Sequence, residues 1–279
     1  MNISVIITTQ NLRETLYSRC FVSICNQILK PDILILVNDG KIFTKIDIKR
    51  IDYYFKNINY IILNNKYEKG LAGSLNTGLF YLSKVNFIGY VSILDDDDTW
   101  DTEHLKVNYD IAIQNNNADV VISGLRMIKK GIVSKRKIPT NLLSSDFLVG
   151  NPGWQGSNTF VSFEILKKVK GFRNGLLSTN DRDLAFRILS IPGLNVAYTN
   201  KWTSTWFHES DPNSLSIPRS YPKILGLQWF WYIYKEFFNK ELEKAFFERA
   251  DKCFGIKEIE IKNIKYIPIN KTLVGDFSV

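Results

Sequence analysis

Cysteine and histidine are the scarce residues of this chain, and each scarcity closes off a class of protein. The three cysteines, Cys20, Cys25 and Cys253, have neither the even count of a disulfide framework nor the paired spacing of a zinc finger. A reducing compartment is the expectation, with Cys20 and Cys25 as core thiols. Only two histidines exist, His104 and His208, so a metal site has to be argued first from carboxylates. No apolar run approaches the roughly 18 residues of a membrane span. The opening "MNISVIITTQ" lacks the basic and then apolar pattern of a secretory signal. The chain therefore reads as cytoplasmic. Internal repeats and low-complexity linkers are missing too, which sets aside solenoids and tethered modules.

What is present is enough for a substantial core. The 279 residues, 45% hydrophobic and 23% charged, suit one large domain or two closely joined halves. The 36 Lys and Arg outweigh 28 Asp and Glu, for a net charge of +8, which favours anionic partners such as nucleotides, phosphorylated lipids or nucleic acid. A nucleic-acid or membrane module would gather its basic residues in one stripe. Here they are dispersed, with local groups at 129–137 and 167–173, so no nucleic-acid partner is expected.

The first hundred residues alternate short Val/Ile/Leu runs with helical stretches: "SVIIT", "LRETLYSRCFVSICNQ", "ILILVND", a lysine-rich connection, "YIILNN", "GLAGSLNTGLFYLSK" and "FIGYVSILD". This is the pattern of parallel strands covered on both faces, an α/β domain whose site lies at the strand C-termini. Polar residues occupy those ends: Thr8, Thr9 and Asn11, then Asn38 and Asp39, then Asn64 and Asn65, then Asp95 to Asp98. Any one could be a turn or a cap. Four in succession point to a site.

Beyond Trp100 the spacing predicts a helix over 102–115, strands in "ADVVISGLRMIKK" and "GIVSKRKIP", and a Gly- and Asn-rich loop "GNPGWQGSNTF". A helix through "NDRDLAFRIL" and strand-like runs "NVAYTN" and "WTSTWFH" follow. Residues 1–100 then form one half, 101–218 a second half built for variable recognition, and 219–279 a helical extension. That extension holds "ILGLQWFWYIYKEFF", "ELEKAFFERA" and a tail, "IKEIEIKNIKYIPI", that alternates apolar and polar residues. The aromatic helix reads as a core or docking helix, with peripheral contact at the inner face of the membrane as the other use of its rings.

Four adjacent carboxylates repel one another unless a cation neutralises them, and oxygen-only ligands suit Mg²⁺ or Mn²⁺, which also accept phosphate oxygens. The bland alternative is an acidic turn in which Asp98 or Asp101 caps the next helix. His208 would complete a metal shell if it folds back over the strand ends, whereas His104, inside a helix, reads as structural. Asp181 and Asp183 open a helix, where capping alone accounts for an aspartate. The functional alternative makes Asp181 a general base kept ionised by its helix position and by Arg182 or Arg187. The three glycines of "EKGLAGSLNTG" match neither a Walker loop nor a dinucleotide fingerprint and serve close helix packing. Trp154 either stacks on a sugar or plugs the core.

Taken in order, these stretches resemble the family 2 glycosyltransferases of the GT-A fold, from about Ile3 to Ser216. The resemblance implies a Rossmann-like mixed central sheet flanked by helices, with 1–100 as the nucleotide-binding half and 101–218 as the acceptor-binding half. It also implies metal-dependent, inverting transfer of a sugar from a nucleotide-sugar donor, a UDP-sugar in particular, with Mn²⁺ or Mg²⁺ as cofactor. "SVIITTQN" is similar to the strand that holds the base, with Thr8, Thr9 and Asn11 at its end, and Asp39 to the aspartate that contacts uracil. "KGLAGSLNTG" matches through Gly70, Asn76 and Gly78. "LDDDDTW" resembles the DXD signature, which puts Asp95, Asp96 and Asp98 at the nucleotide sugar and Asp97 on the metal. Within that run Asp96 is expected to tolerate substitution. "GWQGSNTFVSFEILKKVKGFRNGL" is similar to the acceptor-side segment, with Trp154 and Gln155. "STNDRDLAFRI" resembles the segment that supplies the base, here Asp181 with Asn180 beside it, and "FHESDPNSLS" the closing segment, which would make His208 a metal or diphosphate contact. Three positions depart from the pattern: Lys41 replaces a serine, Leu75 an arginine and Asn180 a glutamate, the last implying an unusual acceptor. The acceptor class stays open among glycan, lipid-linked sugar, natural product and peptide. A metal-dependent nucleotidyltransferase is the alternative reading, and a non-catalytic basic binding module the third.

Overall fold

The computed structural model describes residues 1–208 and 217–264. Strand β1 (Asn2–Thr9) is almost wholly buried, as a strand with parallel neighbours on both edges must be. A π-helical stretch, Leu16–Phe21, leads into helix α1 (Val22–Cys25) and then β2 (Ile33–Asn38). Helix α2 (Lys45–Phe55), β3 (Tyr60–Asn64), α3 (Leu71–Lys84) and β4 (Gly89–Asp95) complete the first half. The second half runs β5 (Thr99–Trp100), α4 (His104–Gln114), β6 (Val120–Lys129), β7 (Ile132–Lys135), α5 (Asp146–Val149), β8 (Thr159–Ser162), α6 (Phe163–Lys168), α7 (Asn180–Leu189) and β9 (Val196–Phe207). Helices α8 (Tyr221–Tyr234), α9 (Lys240–Phe254) and α10 (Glu258–Lys262) follow.

The strands form one mixed sheet in the order β3-β2-β1-β4-β8-β6-β9-β5, with β7 hydrogen-bonded to β6. β3, β2, β1 and β4 are mutually parallel, whereas β8 runs antiparallel to both β4 and β6. Register fixes where the polar strand ends meet. Thr8 lies opposite Asp95, Thr9 opposite Asn38, and Asn38 opposite Asn64. Side chains alternate between two apolar layers, as a period of two requires. Ile6, Ile35 and Val37 pack with α3, and Val5, Ile7, Leu34 and Leu36 with the opposite layer around Phe21 and Phe55. Helix α3 lies directly on β1, where a Cβ at Gly78 would meet the Ile6 side chain at 3.0 Å.

Three sequence expectations change. The lysine-rich connection contains α2, begun by a reciprocal cap between Thr44 and Asp47 and held by Ile51 and Phe55, one turn apart. "NVAYTN" and "WTSTWFH" are one strand, β9, whose pairing to β6 shifts register near Gly124. The alternating tail starts as helix α10, and residues 265–279 lie outside the described residues.

The aromatic helix α8 turns most of its rings inward. Trp231 packs on Phe246 and Phe247, Phe230 on Tyr234, and Leu227, Phe230, Phe246 and Ile261 join the apolar layer that contains α3. Packing inside the protein accounts for these rings, whereas Tyr221 and Tyr232 of the same helix stay exposed. Among the described residues no helix is long and apolar enough to cross a membrane.

Candidate active site

A cleft of about 1470 Å³ opens at the C-terminal ends of β1, β2 and β4 and extends to the start of α7. Its strand-end half is organised by two aspartates. Asp39, just after β2, accepts hydrogen bonds from Asn65 Nδ2 at 2.6 Å and from the Gly70 backbone N–H at 2.8 Å. It thereby ties the end of β3 to the start of α3 and keeps an edge on the cleft. Asp96 accepts from Thr9 Oγ1 at 2.6 Å and pairs with Arg13 at 2.8 Å. A carboxylate anchored twice and 9% exposed is no dispensable member of the run, which corrects the expected tolerance of Asp96.

Asp95 and Asp97 line the cleft with Thr8, Thr9 and Asn11. Burial, then the charges of Asp97, Asp96 and Asp181, push the Asp95 carboxyl up to about 7. Asp98 turns the other way. It is 1% exposed and accepts from Ser157 Oγ at 2.6 Å and from the Phe207 backbone N–H at 3.0 Å. It is therefore a strut joining the acidic turn to β9, neither a sugar contact nor a helix cap, and burial raises its carboxyl well above the usual range. Asn76 is likewise corrected. Fully buried, it donates to Phe172 O at 2.9 Å and accepts from Phe172 N–H at 2.8 Å, pinning that loop to α3, and it does not line the cleft.

In the acceptor half, Asp181 lies in the first turn of α7. Its Oδ2 accepts from Asn151 Nδ2 at 2.6 Å and its Oδ1 from the Arg182 backbone N–H at 2.9 Å. Among the described residues neither guanidinium expected to support it donates to its carboxylate, and that of Arg182 acts on it through charge alone. Arg187 pairs with Asp183 at 2.7 Å, and the Arg182 guanidinium donates to Phe147 O and Leu148 O. Asp183 is buried and bonded also to Arg173 and Tyr234, a structural lock. Asn180 is 4% exposed and lines the cleft, and its Oδ1 has no hydrogen-bond partner. Trp154 is 2% exposed and donates from Nε1 to Thr159 Oγ1 at 3.0 Å; it plugs the core and presents only an edge, beside Gln155.

His208 reaches the cleft at the end of β9, its ring stacked on Trp206 at 4.9 Å. Burial and Lys129 hold its pKa below the ordinary value. The remainder of the closing segment, 209–216, lies outside the described residues. His104 is the structural histidine expected, wholly buried against Thr203.

Among the described residues no three His, Cys, Asp or Glu side chains converge as a metal cage, so His208 does not join Asp95 and Asp97 in one. The oxygen chemistry of the acidic turn fits a hard cation that takes its other ligands from a substrate and water. The raised Asp95 carboxyl marks crowded negative charge that such a cation would relieve. The cleft also holds basic residues absent from the motif reading, Arg13, Lys69, Arg136, Lys223 and Arg249. In sequence they are ordinary members of a dispersed basic population.

A mixed sheet in this order, with an acidic turn and a cleft at the ends of its parallel strands, has the GT-A architecture. The chain belongs to glycosyl transferase family 2, whose family model matches residues 4–176. No curated protein matches it. Among solved structures it is similar to S. aureus TarS 1–349 in complex with UDP-GlcNAc, at 15% identity over 93% of this chain and 74% of that one, with a TM-score of 0.65. It is also similar to the mannosyltransferase PcManGT from Pyrobaculum calidifontis in complex with GDP-Man and Mn²⁺, at 13% identity over 90% of this chain and 73% of that one, with a TM-score of 0.57. At these identities the likeness is one of fold.

Proposed function

We propose that the chain is an inverting glycosyltransferase that takes a nucleotide-sugar donor, a UDP-sugar in particular. The observation that carries this reading is that Asp95 and Asp97 share one cleft with Asp181, which acts on Asp95 through its charge. The base would lie near Thr8, Asn11 and Asp39, and the diphosphate at the acidic turn. Mg²⁺ or Mn²⁺, held by Asp97 with Asp95 beside it, would supply positive charge for the leaving diphosphate. Asp181 receives the proton of the incoming hydroxyl as its oxygen bonds to the anomeric carbon. The bond to the diphosphate breaks with its electron pair, and a single displacement inverts that carbon. Asn151 holds the Asp181 carboxylate in position from one side and the α7 backbone from the other.

Two measurements test the reading. Thermal-shift titration with UDP and GDP, each with and without Mn²⁺, should show metal-dependent stabilisation by UDP, because a ligand that binds only the native state raises its stability. No response to either nucleotide would sink the donor assignment. Asp181→Asn should lower turnover by roughly 10²- to 10⁴-fold, the usual contribution of a general base, with UDP binding intact. Ordinary activity in that variant would remove Asp181 from the chemistry.

A further inference from the structure

Four cations surround Asp181, the single carboxylate among the described residues that line the acceptor half of the cleft. Arg136 follows β7, Arg182 belongs to α7, Lys223 to α8 and Arg249 to α9, and all four line the cavity. Lys223 is 8% exposed, with its Nζ 4.8 Å from the centre of the Phe254 ring. Arg182 is 7% exposed and lies 4.1 Å over the Phe230 ring. Arg249 reaches in over Gly150, where an added Cβ would fall 2.6 Å from its Nε, so the missing side chain makes room for the guanidinium.

Among the described residues none of the four forms an ion pair. Their mutual field is unfavourable. Burial, opposed by Asp181 and reinforced by Arg182 and Arg249, pushes Lys223 down to about 8, and burial also lowers Arg136. Lys223 and Arg182 are buried, Arg136 is half-buried and Arg249 exposed, and the four share one counter-charge, Asp181, an excess of positive charge that is costly unless a ligand completes it. The donor diphosphate does not meet that need, because its proposed place is the acidic turn at the strand ends.

We infer that the acceptor carries a phosphate or phosphodiester group, gripped by Lys223, Arg249 and Arg136 while its hydroxyl faces Asp181. Several cations, two of them with forked donors free of carboxylates, match the oxygens and charge of a phosphate. The unpartnered Asn180 Oδ1, buried in the same wall, accepts a hydrogen bond from a neighbouring hydroxyl of the same acceptor. The phosphate is a handle and is not consumed; the new bond joins the acceptor oxygen to the sugar carbon, and the proton goes to Asp181. This inference rests on the transferase reading for the acceptor and for Asp181 as its base, while the phosphate site itself stands apart from that reading.

Calorimetric titration of the full chain with sn-glycerol 3-phosphate, glycerol and phosphatidylglycerol vesicles, beside UDP with Mn²⁺, tests it. Glycerol phosphate should bind and glycerol should not. Arg249→Gln, at an exposed site, and Lys223→Met should each weaken that binding by about tenfold, the scale of one charge-assisted hydrogen bond, with UDP affinity unchanged. Preference for vesicles over soluble glycerol phosphate assigns the handle to a lipid headgroup, and the reverse to a free phosphorylated polyol; either supports the site. Equal binding of glycerol and glycerol phosphate, or loss of UDP affinity in both variants, overturns it. Failure of UDP to bind the wild type would sink the donor reading, while charge-dependent glycerol phosphate binding would still uphold the phosphate site.

Discussion

Asp181 and Asp183 are two residues apart on one helix, yet their surroundings divide them. Asp183 is 1% exposed between Arg173, Arg187 and Tyr234, whereas Asp181 faces a cavity. Asp183→Asn should therefore destabilise the fold by about 3 to 5 kcal/mol in urea denaturation, because it strips the counter-charge from buried guanidiniums. Burial alone would raise the Asp183 carboxyl, but Arg187 and Arg173 outweigh it and hold the folded value below the ordinary 3.8. A depressed carboxylate contributes its full stability above its unfolded pKa and loses it as the pH falls through the folded one. Melting temperatures should accordingly drop below about pH 4 in the wild type, and less so in Asp183→Asn. Lys223 has the same sign of linkage for a different reason, since burial strips its charge where ion pairs keep that of Asp183. Its folded pKa of about 8 lies under its ordinary 10.5, so between those values the unfolded chain binds the extra proton and stability rises with pH. A loss of stability over that interval would refute the buried-lysine assignment. Of these two groups the sequence shows the first partly, as an aspartate one turn from Arg187. Lys223 reads there as one more surface lysine, since its burial depends on Phe254, distant in the chain.

At the level of elements, what could be read beforehand follows the length of the signal. β1, β2 and β4 are continuous apolar runs ending in polar residues, so both the strands and the line of site residues at their ends were legible. Helix α2 was not, because only Ile51 and Phe55 of its eleven residues are buried and Lys45, Lys49 and Arg50 dominate its composition. Its one strong local signal is the reciprocal cap, Thr44 with Asp47. Thr44→Ala should cost about 1 kcal/mol of stability, the usual loss for such a cap, with nucleotide binding intact. A change near zero in urea denaturation would mean that the helix is held by Ile51 and Phe55 alone. Asn76 and Asp98 failed in the same physical way. Each carries a polar group in a motif position, but its partners, Phe172 for one and Ser157 with Phe207 for the other, come from distant segments that no local pattern announces.

On the scale of the whole molecule, the question is whether α8 to α10 are an appendage or part of the folding unit. Leu227, Phe230, Tyr234, Phe246, Phe247, Ala250 and Ile261 belong to the same apolar layer as Leu75, Leu79 and Leu184. Tyr234 also bonds to Asp183, and Ser178 Oγ donates to Pro222 O. Removing everything after residue 218 would uncover that layer and leave Asp183 without its phenol. It would also take away Lys223 and Arg249, two of the four cations around Asp181. At about 1.5 to 3 kcal/mol for each large side chain, burial of these residues is worth roughly 10 to 20 kcal/mol, as much as the roughly 5 to 15 kcal/mol that separates folded from unfolded domains. The chain should therefore melt in one cooperative transition by calorimetry, and a protein truncated at 218 should be insoluble or molten rather than a competent catalytic half. Two resolved transitions, or a truncated chain that melts sharply and binds UDP, would show instead that the cleft folds without its C-terminal wall.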